Sequence, residues 1–375
     1  MAQTAMSRLF QSSVRQSILR PAQVRNYGSN AVIPSFTSTP STELNAALQR
    51  FREEVFIPYG LPVRQQKSVF KPKYAKQLEH EPIVVKISET EEYTLTPKKR
   101  HELPTKKEAM EVLHLMVSTG EFSNLPAFLA GLKMSGYSVS SNRWEYIIRK
   151  ASYAGKLSII AEVARRGPAT GLSLADKNVA RVLFFELHQT AARANFEGEQ
   201  TAQALKLAED FAFIMNSSHH STNDVKTDPK CQPFVIGTLL ELAAAKTLDK
   251  KAPSQKDLPL SAKSGPRVRD YARKLEASWP LFTRDAKNNG LPELVTRIQE
   301  NLAVYNGMIL ALKYSKASED TKGFETRARK LGTALKIQLR QVKNAQLTSD
   351  PVAQKLLKGE PKVEAEAEAE PKVEA

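Results

Sequence analysis

The chain has 375 residues, enough for one large domain or two ordinary ones, and its 41% hydrophobic and 25% charged residues match a globular protein with a core. No stretch approaches the roughly 18 uninterrupted apolar residues of a membrane span. The single cysteine, Cys231, excludes an internal disulfide, and the net charge of +15 points to polyanionic partners.

In chain order the first element is a basic segment. Residues 1–27 hold Arg8, Arg15, Arg20 and Arg25, several Ser and no acid, with Leu9, Phe10, Val14, Ile18 and Leu19 close to helical spacing. This is the profile of a mitochondrial transit peptide. The stretch "RNYGS" at 25–29 resembles a matrix-protease site that leaves Gly28 as the new N-terminus. The expected location is the mitochondrial matrix.

Residues 28–103 read as an irregular basic N-terminal arm with one helix. Ser41 or Thr42 caps that helix over 41–57, and Leu44, Leu48, Phe51 and Val55 form its apolar stripe. Residues 58–78, with Pro62, Pro72, Arg64, Lys67, Lys71, Lys73 and Lys76, read as an extended basic arm suited to insertion between RNA segments. Two β-prone runs at 83–87 and 93–95 suggest a small hairpin.

From Pro104 onward the pattern is helical, and it repeats. Residues 141–175 contain a helix A (142–154), Gly155, a helix B (157–166) and Gly171. In helix A, Tyr146, Ile147, Ile148 and Ala151 are expected to face inward. A shift of 35 residues back places Gly120 on Gly155, Gly136 on Gly171, and Val112 and Leu113 on Ile147 and Ile148. The forward shift brings Val182 and Leu183 to that pair and Val179 to Trp144. One helical pair cannot cover its own apolar face, so the copies must stack.

The set Trp144, Ile147, Ile148, Gly155, Leu157 and Gly171, echoed by Leu113, Gly120, Phe122 and Gly136, resembles the pentatricopeptide repeat over residues 106–175. Tetratricopeptide repeats share the hairpin logic with a different period. The resemblance implies an all-α helical-hairpin solenoid over 104–347 and binding of RNA in an organelle. In base-reading members of that family, the residue after the helix-A aromatic and the last residue of the repeat choose the nucleotide. Here those pairs are Met110 with Ser140 and Glu145 with Ala175, and the third unit begins with Ala180. Met and Ala offer no hydrogen bond to a base edge and Glu repels phosphate. The array is therefore expected to hold structured RNA, or protein, by shape and charge. In such a solenoid the helix-A surfaces line the groove, making Lys106, Lys107, Arg143, Arg149 and Lys150 the candidate RNA contacts. Arg165 and Arg166 end helix B, where the helix dipole already accounts for two cations.

Beyond the repeats, the periodicity predicts helices over 176–194, 199–218, 233–248, 267–279, 292–315 and 323–347, with a flexible basic loop at 249–266. The last helix presents Arg327, Arg329, Lys330, Lys336, Arg340 and Lys343 against Glu325. Arg327, Arg329, Lys336 and Arg340 are either part of a solvated face or a second RNA-facing ridge. Residues 348–375 read as a disordered acidic tail ending in "GEPKVEAEAEAEPKVEA". The charges of this run and of the first 27 residues cancel, so the net +15 resides on residues 28–358.

No phosphate-binding loop, dinucleotide fingerprint, HExxH or CxxC stands in the chain. His219, His220 and Cys231 match no zinc spacing, and Asp224 and Asp228 lack a partner for acid–base work. No catalysis, cofactor or metal is expected. The leading reading is a non-catalytic, RNA-associated helical-repeat protein of mitochondrial gene expression. It would act in translation as a mitoribosome-bound component, with mRNA or rRNA and mitoribosomal proteins as partners. The alternative is a protein-binding scaffold or assembly factor for a respiratory-chain complex, in peripheral contact with the inner membrane.

Overall fold

The computed structural model describes residues 24–25, 33–87, 91–249, 265–279, 290–314, 321–342 and 344–358. The expected transit peptide apart from Val24 and Arg25, the loop residues 250–264, Lys343 and the acidic run 359–375 lie outside the described residues. The described chain is mostly helical with three short strands. It divides into two units, residues 1–34 with 49–105, and residues 35–48 with 106–375.

Helix α1 (Thr42–Phe51) starts where the Ser41 Oγ accepts the Leu44 N–H at 3.2 Å, and Leu44, Leu48, Phe51 and Val55 are all buried. A wider π-turn, Arg52–Phe56, follows, in which the Ile57 N–H reaches back to the Arg52 carbonyl. α2 (Ile57–Gly60) completes the segment. Arg52 turns inward in the first unit and is only 9% exposed. Its Nε donates to the Pro34 carbonyl at 3.0 Å, and its two terminal nitrogens grip Glu91 at 2.5 and 2.6 Å.

Residues 58–78 are not the extended arm that their prolines and lysines suggest. They form α3 (Val63–Phe70), a 3-10 turn and α4 (Ala75–His80). Leu61, Val69 and Leu78 supply an apolar face that joins Val85 and Leu95 in a small core, with Phe70, Ile83 and Tyr93 packed against it. Pro62 and Pro72 stand at helix starts, where a missing N–H costs nothing. β2 (Val84–Lys86) and β3 (Glu92–Thr94) pair antiparallel with Val85 opposite Tyr93. β1 (Val24–Arg25) runs parallel to β2, with Val24 opposite Val84, upstream of the cut expected before Gly28.

The second unit opens with helical hairpins: α5 (Lys106–Thr119) with α6 (Leu125–Met134), and α7 (Ser141–Tyr153) with α8 (Leu157–Arg165), followed by α9 (Gly167–Thr170). α10 (Lys177–Arg193) and α11 (Gly198–Ile214) form the next pair. The first helix of each pair ends in the same way. Gly120 and Gly155 take left-handed φ values of 76° and 66°, and just beyond them the Glu121 and Lys156 N–H groups close onto the Met116 and Ala151 carbonyls. In the third pair Asn195 (φ 51°) replaces the glycine, and the closing bond runs from Phe196 to Ala191. Asn is the side chain that best tolerates this conformation.

The remaining helices are α12 (Pro233–Leu248), α13 (Gly265–Ser278), α14 (Leu291–Tyr314), α15 (Thr321–Gln341), α16 (Ala345–Thr348) and α17 (Pro351–Lys358). α12 is buried on nearly every side because α10, α11, α13 and α14 surround it. Within that packing His188 of α10 is fully buried between two carboxylates. Its Nδ1 lies 2.8 Å from Glu241 and its Nε2 3.1 Å from Asp350. Asp350 also accepts the N–H groups of Val352 and Ala353, capping α17. Residues 351–358 thus depart from the solvated tail expected over 348–375, because Val352, Ala353 and Leu356 give them an apolar face to bury.

Candidate nucleic-acid interface

The exposed face of α5 and α7 carries the cations singled out in the sequence. Tyr146, expected inward, is only partly buried. The Arg143 guanidinium and the Lys150 ammonium lie 5.8 and 5.9 Å from its ring centroid. His114, one hairpin earlier, stacks on the same ring at 5.7 Å with the planes 8° apart. Sequence periodicity missed this pair. Tyr146 adjoins Ile147 and Ile148 in the apolar run, and His114 carries no local signal.

The candidate cations divide into spent and unspent charges. Arg149 donates to Glu145 at 2.9 Å, and Lys107 sits 3.9 Å from Glu111. Lys106 donates to the Ser138 hydroxyl at 3.2 Å. Among the described residues no carboxylate pairs with Lys106, Arg143 or Lys150. Glu145, at one of the base-reading positions, is also 4.0 Å from the buried Arg181, which bonds to Gln299. Burial holds the Arg181 guanidinium below its ordinary value despite Glu145 and Glu300. Arg165 and Arg166 are paired with Asp210 at 3.2 Å and Glu162 at 3.0 Å.

On α15, Arg327 reaches Glu276 of α13 at 3.3 Å and lies 5.6 Å over the Trp279 ring, while Arg329 pairs with Glu325 at 2.7 Å. Arg340 is exposed and Lys336 half-buried, without a carboxylate partner among the described residues. The ridge is therefore narrower than the sequence suggests.

His219 and His220 serve the backbone. His220 Nδ1 accepts the Leu174 N–H at 3.0 Å and its Nε2 donates to the Ala164 carbonyl at 2.8 Å, while His219 Nε2 lies 3.0 Å from the Leu172 carbonyl. Burial holds the His220 imidazole below its ordinary value, so the neutral tautomer fits both bonds. Among the described residues no group of three or more His, Cys, Asp or Glu is placed to hold a metal, and no helix is long and apolar enough to cross a membrane.

Arg143 and Lys150, without a carboxylate partner among the described residues, flank an aromatic stack on successive hairpins, an arrangement suited to contact with a polyanion. Residues 22–359 match the family described as mitochondrial ribosomal protein mS27. A small ribosomal subunit protein mS27 of Neurospora crassa is 26% identical over 288 residues, 72% of each chain. The chain belongs to the mS27 family of mitochondrial ribosomal proteins, which places it in the mitochondrial matrix and its work in translation.

Proposed function

We propose that the chain is a non-catalytic structural component of the small subunit of the mitochondrial ribosome, and that α5–α11 form a pentatricopeptide-like array holding ribosomal RNA by shape and charge. The observation that carries this reading is the set of Arg143 and Lys150 around Tyr146, stacked on His114 from the preceding hairpin. Phosphates meet unpaired cations there, and the aromatic pair offers a surface for bases. The same closing turn at Gly120, 35 residues on at Gly155 and 40 residues further at Asn195 supports the repeat architecture. The engagement of Glu145 by Arg149 and Arg181 suits a protein that grips RNA without reading its sequence. Lys336 and Arg340 add a smaller contact, and residues 1–27 act as the import signal.

Sedimentation of a mitochondrial lysate tests the reading. The chain should travel with the small subunit and leave it when magnesium is removed. The Arg143→Gln, Lys150→Gln double variant should shift toward the top of the gradient. Migration with inner-membrane complexes would overturn the proposal in favour of the scaffold alternative.

A further inference from the structure

A cleft of about 770 Å³ lies where the C-terminal ends of α7 and α10 meet the start of α17, and the RNA contacts described above do not include it. One exposed wall is Tyr153, whose side of α7 leaves it 61% accessible. The Arg193 guanidinium lies 4.8 Å from the ring centroid and is itself steadied 3.6 Å from the buried Glu186 carboxylate. One side of the phenol ring is thus occupied by a flat cation, and the ring is held as a platform.

The cleft also carries an oriented polar group. Gln189 is 6% exposed, and its Nε2 donates to Asp350 Oδ2 at 2.6 Å. That carboxylate is fixed in turn by His188 and by the N–H groups of Val352 and Ala353. A carboxylate only accepts, so the amide cannot flip, and Gln189 Oε1 is left as an acceptor without a partner among the described residues. On the rim, Asn195 is exposed and held at φ 51°. A flat π-surface beside a fixed acceptor, with a cation alongside, fits a flat heterocycle that donates an N–H and carries a phosphate.

We propose that this cleft receives the base of an unpaired RNA nucleotide, stacked on Tyr153 and hydrogen-bonded to Gln189 Oε1, with Arg193 beside its phosphate. The inference rests on the RNA-binding reading above and adds a second, pocket-type contact to it. It predicts that the protein discriminates between an RNA helix with an extruded nucleotide and one without.

The test uses the full-length chain and three probes: an RNA hairpin with one bulged nucleotide, the same hairpin fully paired, and free AMP. The bulged hairpin should bind about tenfold more tightly than the paired one, the value of one base stacked on an aromatic side chain. Tyr153→Ala should abolish that preference and leave affinity for the paired hairpin unchanged, and Tyr153→Phe should retain it. Tyr153 is exposed, so both variants keep the fold. Equal affinity for the two hairpins overturns the proposal, as does a Tyr153→Phe variant as defective as Tyr153→Ala. Tight binding of AMP without a bulge preference would reassign the cleft to a free nucleotide and overturns the RNA source. Suppose the paired hairpin still binds and is weakened by Arg143→Gln with Lys150→Gln, yet no bulge preference exists. The cleft assignment then fails while the general RNA reading stands. Binding of neither hairpin removes both.

Discussion

Gly307 of α14 lies so close to Gly237 of α12 that a methyl group on Gly307 would fall 2.8 Å from the Gly237 carbonyl oxygen. The crowding is mutual, since a methyl group on Gly237 would meet a Val304 methyl at 2.6 Å. Gly307→Val is therefore expected to destabilise the second unit by about 1–3 kcal/mol through overpacking. Gly323→Ala in α15, where an added methyl meets nothing within 4 Å, is the control and should be neutral or slightly stabilising. Urea unfolding followed by helical circular dichroism measures both. Equal midpoints for the two variants would show that the α12–α14 contact is not limiting.

The buried His188 gives a pH prediction with a definite sign. Burial opposes its charge, but the Glu241 and Asp350 carboxylates outweigh burial and raise its pKa from 6.5 to about 10. Asp350 is held below its ordinary value in spite of burial, by the charge of His188 and the bond to it. A pKa raised on folding gives stability that is complete below 6.5 and lost as pH climbs through about 10. Stability should fall across that window more steeply in the native protein than in His188→Gln. At pH 6 the variant should already be weaker by about 3–5 kcal/mol, because two buried carboxylates lose their cation. A variant within 1 kcal/mol of the native protein would remove the network from the account of stability.

For RNA, the paired and unpaired cations should separate. Neutralising Arg143 and Lys150 is expected to lower the salt dependence of RNA binding by about one unit of slope per lost phosphate contact. Neutralising Arg165 and Arg166 should change it less, because Asp210 and Glu162 already balance them. Titrations between 50 and 200 mM salt decide the matter. Identical slopes for the two double variants would leave only bulk charge.

The Arg52–Glu91 pair predicts an asymmetry. The hydrogen bond from Arg52 holds the Glu91 carboxyl below 4.5, so its contribution is present above that pH and disappears on acidification. Glu91 keeps 40% of its side chain accessible, so solvent screens the pair, and Glu91→Gln should cost less than about 1 kcal/mol at neutral pH. Arg52→Met should cost about 1–3 kcal/mol more, since it also strands the Pro34 carbonyl. Thermal unfolding at pH 7 and pH 4 compares them, and a larger loss from Glu91→Gln would contradict the geometry.

Much of this fold is legible in the sequence wherever contacts are local. The helices over 267–279 and 292–315 fall within two residues of α13 and α14. The 35-residue spacing of Gly120 and Gly155 reappears as matching left-handed turns. Even the Glu145–Arg149 pair stands at i and i+4 and was open to inspection. What escaped depends on distant partners. Glu276 neutralises Arg327 from 51 positions away, and His188 meets Glu241 across 53. Residues 58–78 misled because proline and lysine read as irregular, whereas two of those prolines begin helical turns. Tyr146 misled because periodicity marks an apolar face and does not reveal its edge.

The separation of Asp350 from His188 by 162 positions also fixes an order in time. A chain delivered N-terminus first presents the hairpins of α5–α11, and His188 with Glu241, before α17 has arrived. Long-range closures of this kind form late because the intervening loop must be drawn in first. The second unit therefore finishes folding from its far end. A chain cut short before residue 350 keeps the hairpins of α5–α11 but leaves His188 half-compensated, and proteases would read the difference.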